Sequence, residues 1–238
     1  MMNVQRAVFL AAGKGTRMAP LTDTLPKPLV KVHGKPIIAT LLDAVLMAGI
    51  EEIYIVRGYL GEKFNCLLQA YPQINFIDNP DYEKANNISS IVAAADYLAN
   101  AYIIESDLLL SNPALITAQQ TYSNYLAIYK DKTDDWCFYT DETGKIKQMA
   151  VGGTHCQQMV GISYWTESDG VKLAQRAKEL YADAANHQLY WDEVALSCFL
   201  PDFAIKTRLC QQEDIIEIDT LAELQALDSS YQSFSLGE

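Results

Sequence analysis

Apolar and polar positions along the chain alternate between short buried runs and longer mixed segments, an order that predicts strands separated by helices. Val8, Phe9 and Leu10 form a short apolar run that ends at a glycine-rich turn, as a fully buried strand would. The pattern from Pro36 to Ala48 is long enough for a helix, with Pro36 suited to its first turn and Gly49 to its stop. Ile53 to Val56 predicts a second buried strand, 61–70 a helix, and Ile74 to Ile77 an extended segment. Ile88 to Leu98 predicts a helix and Tyr102 to Ile104 another strand. Strands and helices alternating at these lengths imply right-handed βαβ units and a mostly parallel sheet.

The second half is less regular. Tyr125 to Tyr129, Trp136 to Tyr139, Ile146 to Val151 and Met159 to Trp165 predict four strands, with Thr143-Gly144 as a hairpin turn between two of them. Val171 to Ala184 and Tyr190 to Phe199 predict helices, Ile205 and Ile215 to Ile218 two late strands, and Leu221 to Leu227 a last helix. The polar tail from Ser229 is expected to fray. The expected fold is α/β: one Rossmann-like, mostly parallel sheet with helices on both faces, plus a small β-rich region. Within a single domain spanning 1–238, about 1–125 would form the core, about 126–215 the β-rich region, and 216–228 a return to the core.

Composition narrows the partners. A formal net charge of −12 repels polyphosphate chains, so nucleic acid is not an expected partner. The five cysteines are odd in number and include no C-x-x-C pair, which argues against a disulfide framework or zinc site and for a reducing cytoplasm. No apolar stretch reaches spanning length, and Ala7 to Ala12 is too short for a leader.

The strongest chemical signal is LAAGKGTRMAPLTDTLPKPL, residues 10–29. Gly13 and Gly15 follow a buried strand directly, and without side chains there the backbone N–H groups can close around a phosphate. Arg17 and Lys27 add positive charge, while Pro20, Pro26 and Pro28 stiffen the loop. A Walker A loop is excluded because Lys14 is followed by Gly15. A dinucleotide fingerprint is excluded because Met18 stands at its third glycine. Two acidic groups follow strands, Glu105-Ser106-Asp107 and Glu217-Ile218-Asp219. Ligands of open α/β sheets bind at the carboxyl ends of strands, so Asp107, Glu217 and Asp219 are expected to meet there and hold Mg²⁺. Alternate residues on a strand face one side, which suits a shared ligand for Glu217 and Asp219. Asn79, Tyr82, Asn87 and Ser89 supply polar groups that could read a base or ribose, and Asn87 could equally belong to a helix cap. Trp136 follows Asp134-Asp135, and Tyr190-Trp191 precede Asp192-Glu193. Aromatic faces beside carboxylates suit a quaternary ammonium, each contact contributing about 0.5–2 kcal/mol. The histidines His33, His155 and His187 are scattered and have no expected catalytic role.

Residues 10–29 resemble the signature of the nucleotidyltransferase superfamily, G-x-G-x-R-x-x-P-L-T-x-x-x-P-K, at every fixed position. The resemblance extends to the bacterial CTP:phosphocholine cytidylyltransferases of the LicC type along nearly the full chain. It is carried by Gly58 to Phe64, Asn79 to Ser89, Asp107, Asp135-Trp136, Gly161 to Trp165, Leu189 to Asp192 and Glu217-x-Asp219. It implies a nucleotide-diphospho-sugar-transferase-like fold and transfer of CMP from CTP to phosphocholine with Mg²⁺, in the cytoplasm. Under it, Ala11, Ala12, Gly13, Lys14, Gly15, Arg17 and Lys27 surround the nucleotide, with Arg17, Lys27 and Asp107 catalytic. Trp136, Tyr190 or Trp191, and Asp192 would take choline. Phosphoethanolamine, 2-aminoethylphosphonate and a sugar 1-phosphate are the alternative acceptors, and a non-catalytic nucleotide sensor is the alternative of another class. The chain departs from the pattern at Glu105, where the first acid of the usual D-x-D stands, and it lacks the Gly-Thr-Ala-like stretch of sugar-1-phosphate members.

Overall fold

A computed structural model describes residues 1–234. In chain order the strands are β1 (Met2–Asn3), β2 (Arg6–Ala11), β3 (Lys31–Val32), β4 (Lys35–Pro36), β5 (Glu52–Arg57), β6 (Ile74–Asp78), β7 (Ala101–Glu105), β8 (Leu108–Leu110), β9 (Gln119–Gln120), β10 (Asn124–Thr140), β11 (Ile146–Trp165), β12 (Lys206–Leu209) and β13 (Ile215–Glu217). The helices are α1 (Ile37–Met47), α2 (Ile88–Ala93), α3 (Glu167–Tyr181), α4 (Trp191–Glu193) and α5 (Leu221–Leu227). A seven-stranded sheet has the order β12-β10-β11-β7-β2-β5-β6. Strands β7, β2, β5 and β6 run parallel, β11 is antiparallel to β7 and to β10, and β12 is parallel to β10. The expected α/β fold with a mostly parallel sheet is therefore present.

Alternation along β2 explains why both faces are covered. Phe9 packs in a cluster with Ile38, Leu41, Leu42 and Val45 of α1, whereas Val8 faces a second cluster with Ile88 and Ile91 of α2 and Leu173 of α3. Leu41 and Leu42 are fully buried, so truncating either to Ala would destabilise by about 2–5 kcal/mol. Helix α1 ends where the sequence predicts: Gly49 adopts φ 77°, a left-handed conformation that glycine enters without a Cβ penalty.

The β-rich region differs from expectation. The four predicted strands are two long ones, β10 and β11, joined by the predicted turn at Gly144 and broken by register shifts after Tyr125 and Thr133. The bulges bend the ribbon, so each strand reads as two short apolar runs. The segment predicted helical at 61–70 is a 3-10 helix, Gly61–Gln69, whose buried Phe64 and Leu67 lie three apart, in register with three residues per turn. The expected helix from Tyr190 to Phe199 is the single turn of α4 followed by a π-helical turn, Val194–Cys198. Ser229–Tyr231 is not frayed: Asp228 caps it, and the Tyr231 hydroxyl donates to the Lys31 carbonyl at 2.8 Å. Residues 235–238 of that tail lie outside the described residues.

Two segments far apart in sequence meet just past the carboxyl end of β7. β13 pairs antiparallel with β8, Glu217 opposite Leu108, and the Ile218 N–H donates to the Asp107 carbonyl at 3.2 Å. Met18 of the glycine-rich loop packs in one cluster with Ile37, Ile218 and Leu221. That cluster ties the loop to the strand that carries the C-terminal acids. Among the described residues no helix is long and apolar enough to cross a membrane.

Candidate active site

The glycine-rich loop is a shaped turn rather than a slack one. Gly15 has φ 61°, and a Cβ there would lie 2.8 Å from Lys27 Cβ, so only glycine lets the loop close over Lys27. The Thr22 hydroxyl donates to the Gly15 carbonyl at 2.9 Å, and the Tyr59 hydroxyl donates to the Thr22 carbonyl at 3.0 Å. A Cβ at Gly13 would meet nothing within 4 Å, because that position borders a cavity of about 530 Å³. Ala11, Ala12, Gly13, Gly15, Arg17 and Lys27 all line it.

Lys27 is buried and donates to Asp107 Oδ2 at 2.8 Å and Asp219 Oδ1 at 2.6 Å. Arg17 Nη2 reaches the same Asp219 Oδ1 at 2.9 Å. Burial opposes the charge on Lys27, but Asp107 and Asp219 outweigh it and raise its pKa. The other Asp107 oxygen, Oδ1, is buried with no hydrogen-bond partner. One oxygen each from Glu105, Asp107 and Glu217 lie within 4.8 Å of one another. Burial, and then repulsion among the neighbouring acids, pushes the carboxyls of Glu105 and Glu217 above the usual range. A crowd of hard oxygen donors with one oxygen unpaired fits a divalent cation such as Mg²⁺.

Trp136 and Tyr190 also line the cavity, edge to face with centroids 5.9 Å apart. Met149 and Met159, with Asp135, Asp192 and Glu193, complete the lining. Asp192 is buried, which raises its pKa, and accepts a 2.7 Å hydrogen bond from the Tyr125 hydroxyl.

Several expected site residues do not border the cavity. Trp191 is 1% exposed and packs as core, 5.9 Å from Tyr125 and 6.1 Å from Trp165 between centroids. At the start of α4, Tyr190 faces the cavity and the next residue points inward. Asn79 and Ser89 are buried, the Asn79 amide donating to the hydroxyls of Ser89 and Ser90 at 2.9 and 3.1 Å. They brace the loop, leaving Ser90 and Asn87 on the cavity wall. Asn87 Oδ1 also accepts from the Trp191 N–H at 2.8 Å. Tyr82 lies against Gly58, where a Cβ would come within 2.6 Å of the ring. Lys14 turns out to Glu83 at 2.9 Å. Sequence reasoning passed over Met149 and Met159, although Met159 lies two residues before Gly161 in β11, on the same face.

Comparison with known proteins places this geometry in context. Residues 6–145 match the family model described as nucleotidyl transferase. A 2-aminoethylphosphonate cytidylyltransferase of Lancefieldella rimae is 39% identical over 228 residues, covering 94% of this chain and 92% of its own. A choline-phosphate cytidylyltransferase of Haemophilus influenzae is 30% identical over 218 residues, covering 90% and 92%. The solved structure of the CTP:phosphocholine cytidylyltransferase LicC of Streptococcus pneumoniae superimposes with a TM-score of 0.89 at 28% identity, over 96% of this chain and 99% of that one.

Proposed function

This chain belongs to the nucleotidyl transferase family and is a nucleotidyltransferase, and we propose that it transfers CMP from CTP to a small acceptor with a phosphonate or phosphate at one end and a primary ammonium at the other. 2-Aminoethylphosphonate and phosphoethanolamine fit this description. The observation that carries the reading is the mixed charge of the cavity lining. Glycine backbone, Lys27 and Arg17 border the same cavity as the acids Asp135, Asp192 and Glu193. A primary ammonium donates three hydrogen bonds and needs acceptors, whereas a trimethylammonium needs aromatic walls. With Trp191 buried in the core, the cavity offers one aromatic pair and several carboxylates. Both the Lancefieldella and the Haemophilus relatives carry the name cytidylyltransferase, which supports CTP as donor. Phosphocholine is the second reading, favoured by the open Trp136–Tyr190 pair.

In the proposed reaction an acceptor oxygen attacks the α-phosphorus in line, the bond to the β-phosphate breaks, and pyrophosphate leaves. Gly13 and Gly15 present backbone N–H groups to the triphosphate, and Lys27 stabilises charge growing at the reacting phosphorus. Arg17 and Lys27 rest on Asp107 and Asp219, and their N–H donors turn to phosphate oxygens when substrate arrives. Mg²⁺ held by Asp107, Glu217 and Asp219 would supply the positive charge under which two phosphate groups tolerate contact. Asp192, oriented by Tyr125, receives the ammonium. Residues 1–125 and 216–228 then serve the nucleotide and cation, and 126–215 the acceptor.

Pyrophosphate release measured with CTP, UTP, GTP and dTTP against each acceptor tests this. The expected best pair is CTP with 2-aminoethylphosphonate or phosphoethanolamine. A preference for phosphocholine would select the second reading, and no metal-dependent turnover with any pair would remove both.

A further inference from the structure

We propose that Asn87 is a positioning residue of the acceptor site: its side chain caps α4 from across the cavity wall and so fixes where Tyr190 and Asp192 stand. The inference rests on the reading of Tyr190 and Asp192 as contacts of the acceptor. An asparagine at the head of a helix ordinarily accepts from an N–H in the first turn of that same helix. Asn87 stands at the head of α2 and makes no such bond. Its Oδ1 accepts instead from the Trp191 N–H at 2.8 Å, 104 positions further along the chain. That N–H opens α4, where the helix itself provides no partner. Trp191 is 1% exposed, so water does not replace a lost partner there, and an unpaired buried N–H is costly.

Helix α4 is too short to hold its own place. Within it, the Glu193 N–H donates to the Tyr190 carbonyl at 3.1 Å and the Tyr190 N–H to Glu193 Oε2 at 2.8 Å. Its position comes from the loop before α2. The Asn86 N–H donates to the His187 carbonyl at 2.7 Å, the Asn86 amide to the Gln188 carbonyl at 3.2 Å, and the Gln188 amide to the Lys84 carbonyl at 3.2 Å. Asn86 Oδ1 in turn accepts from the Asn87 N–H at 2.7 Å. The bond from Trp191 to Asn87 is the rung of this lacing that reaches α4, and Asn87, Tyr190 and Asp192 all border the cavity. Tyr125 holds the Asp192 carboxylate, whereas Asn87 holds the backbone that carries it. Lys27 and Arg17 are held by Asp107 and Asp219, outside this lacing. Loss of the rung therefore falls on the acceptor and spares the triphosphate.

Steady-state kinetics with CTP, and with whichever of 2-aminoethylphosphonate, phosphoethanolamine and phosphocholine turns over best, tests this. Asn87→Ala should raise the acceptor KM about three- to tenfold, the range for one net hydrogen bond, and leave the KM for CTP unchanged. Asn87→Asp keeps an oxygen at the same reach and should recover most of the acceptor KM. Asn87→Ser still heads α2 but is too short to reach Trp191; it should match Asn87→Ala, and it stands in if that variant fails to fold. A rise confined to CTP would make Asn87 a nucleotide contact, and equal rises for both substrates would make it general packing; either overturns the proposal. So does an Asn87→Asp variant as impaired as Asn87→Ala. Tyr190→Ala separates the underlying reading. If it leaves the acceptor KM unchanged, α4 does not meet the acceptor and the positioning role falls with that reading. If Tyr190→Ala raises the acceptor KM and Asn87→Ala does not, the positioning role alone is overturned.

Discussion

Lys27→Met removes the cation that bonds both Asp107 and Asp219 while keeping a side chain of similar length. The wild-type contacts are charge-assisted hydrogen bonds of 2.8 and 2.6 Å. Bonds of this kind contribute about 1.5–3 kcal/mol each in net terms. Both carboxylates retain some exposure, 25% and 22%, so water screens part of the gain. A combined loss of about 2–3 kcal/mol is a reasonable reduction of the two. For a chain of this size that lowers Tm by roughly 4–12 °C. The Lys27 pKa is raised above 10.5 in the folded protein, so its contribution is full below the unfolded value and fades as pH climbs through the folded one. The Tm gap between variant and wild type should thus persist at neutral pH and close only in strong alkali. Thermal unfolding with and without MgCl₂ checks the electrostatics. Metal-free Lys27→Met leaves Asp107 and Asp219 facing each other with Arg17 alone, so added Mg²⁺ should stabilise the variant more than the wild type. Turnover should fall about 10²–10³-fold, as when a charge-stabilising donor is lost from a transition state. Equal Tm values and equal responses to Mg²⁺, with near-normal kcat, would refute the cation cradle.

Other positions test separate parts of the cavity. Trp136→Ala should raise KM for the acceptor several-fold with little change for CTP, measured by steady-state kinetics, because its ring lines the cavity against Tyr190. Trp191→Ala should lower stability by about 3–5 kcal/mol in denaturant unfolding, as befits a core indole, and a purely kinetic defect would contradict its burial. Gly15→Ala places a methyl against Lys27 at a φ of 61°, so KM for CTP should rise and stability fall by about 1–2 kcal/mol. Chelation with EDTA should abolish turnover and MgCl₂ restore it; persistence of activity in metal-free enzyme would dismiss the cation from the reaction.

Much of this was legible from residue order. Val8 to Leu10, the glycine pair, Lys27 and the acids after two strands do converge, because strand ends and a following tight turn have fixed directions whatever their surroundings. Less local features were hidden. The β8–β13 pairing that brings Asp219 to Lys27 joins residues more than a hundred positions apart, and Leu108 to Leu110 is too short to announce a strand. Two adjacent aromatics, Tyr190 and Trp191, look equivalent in sequence. They part company because α4 starts between the cavity and a bed of Tyr125 and Trp165, and only the inner ring can be stacked there. Asn79 and Ser89 likewise present the chemistry of a base reader, yet satisfy each other instead. Buried polar pairs of this kind are decided by tertiary distance, which periodicity does not encode.

In the resting site Lys27 and Arg17 are already engaged by Asp107 and Asp219. Orthophosphate diffusing in alone would have to strip those lysine and arginine donors from their carboxylates and leave the carboxylates stranded. A chelated triphosphate brings a counter-ion that settles both debts at once. The enzyme should accordingly ignore free inorganic phosphate at concentrations where the metal-complexed nucleotide saturates it, a selectivity set by charge balance before any base or ribose is recognised.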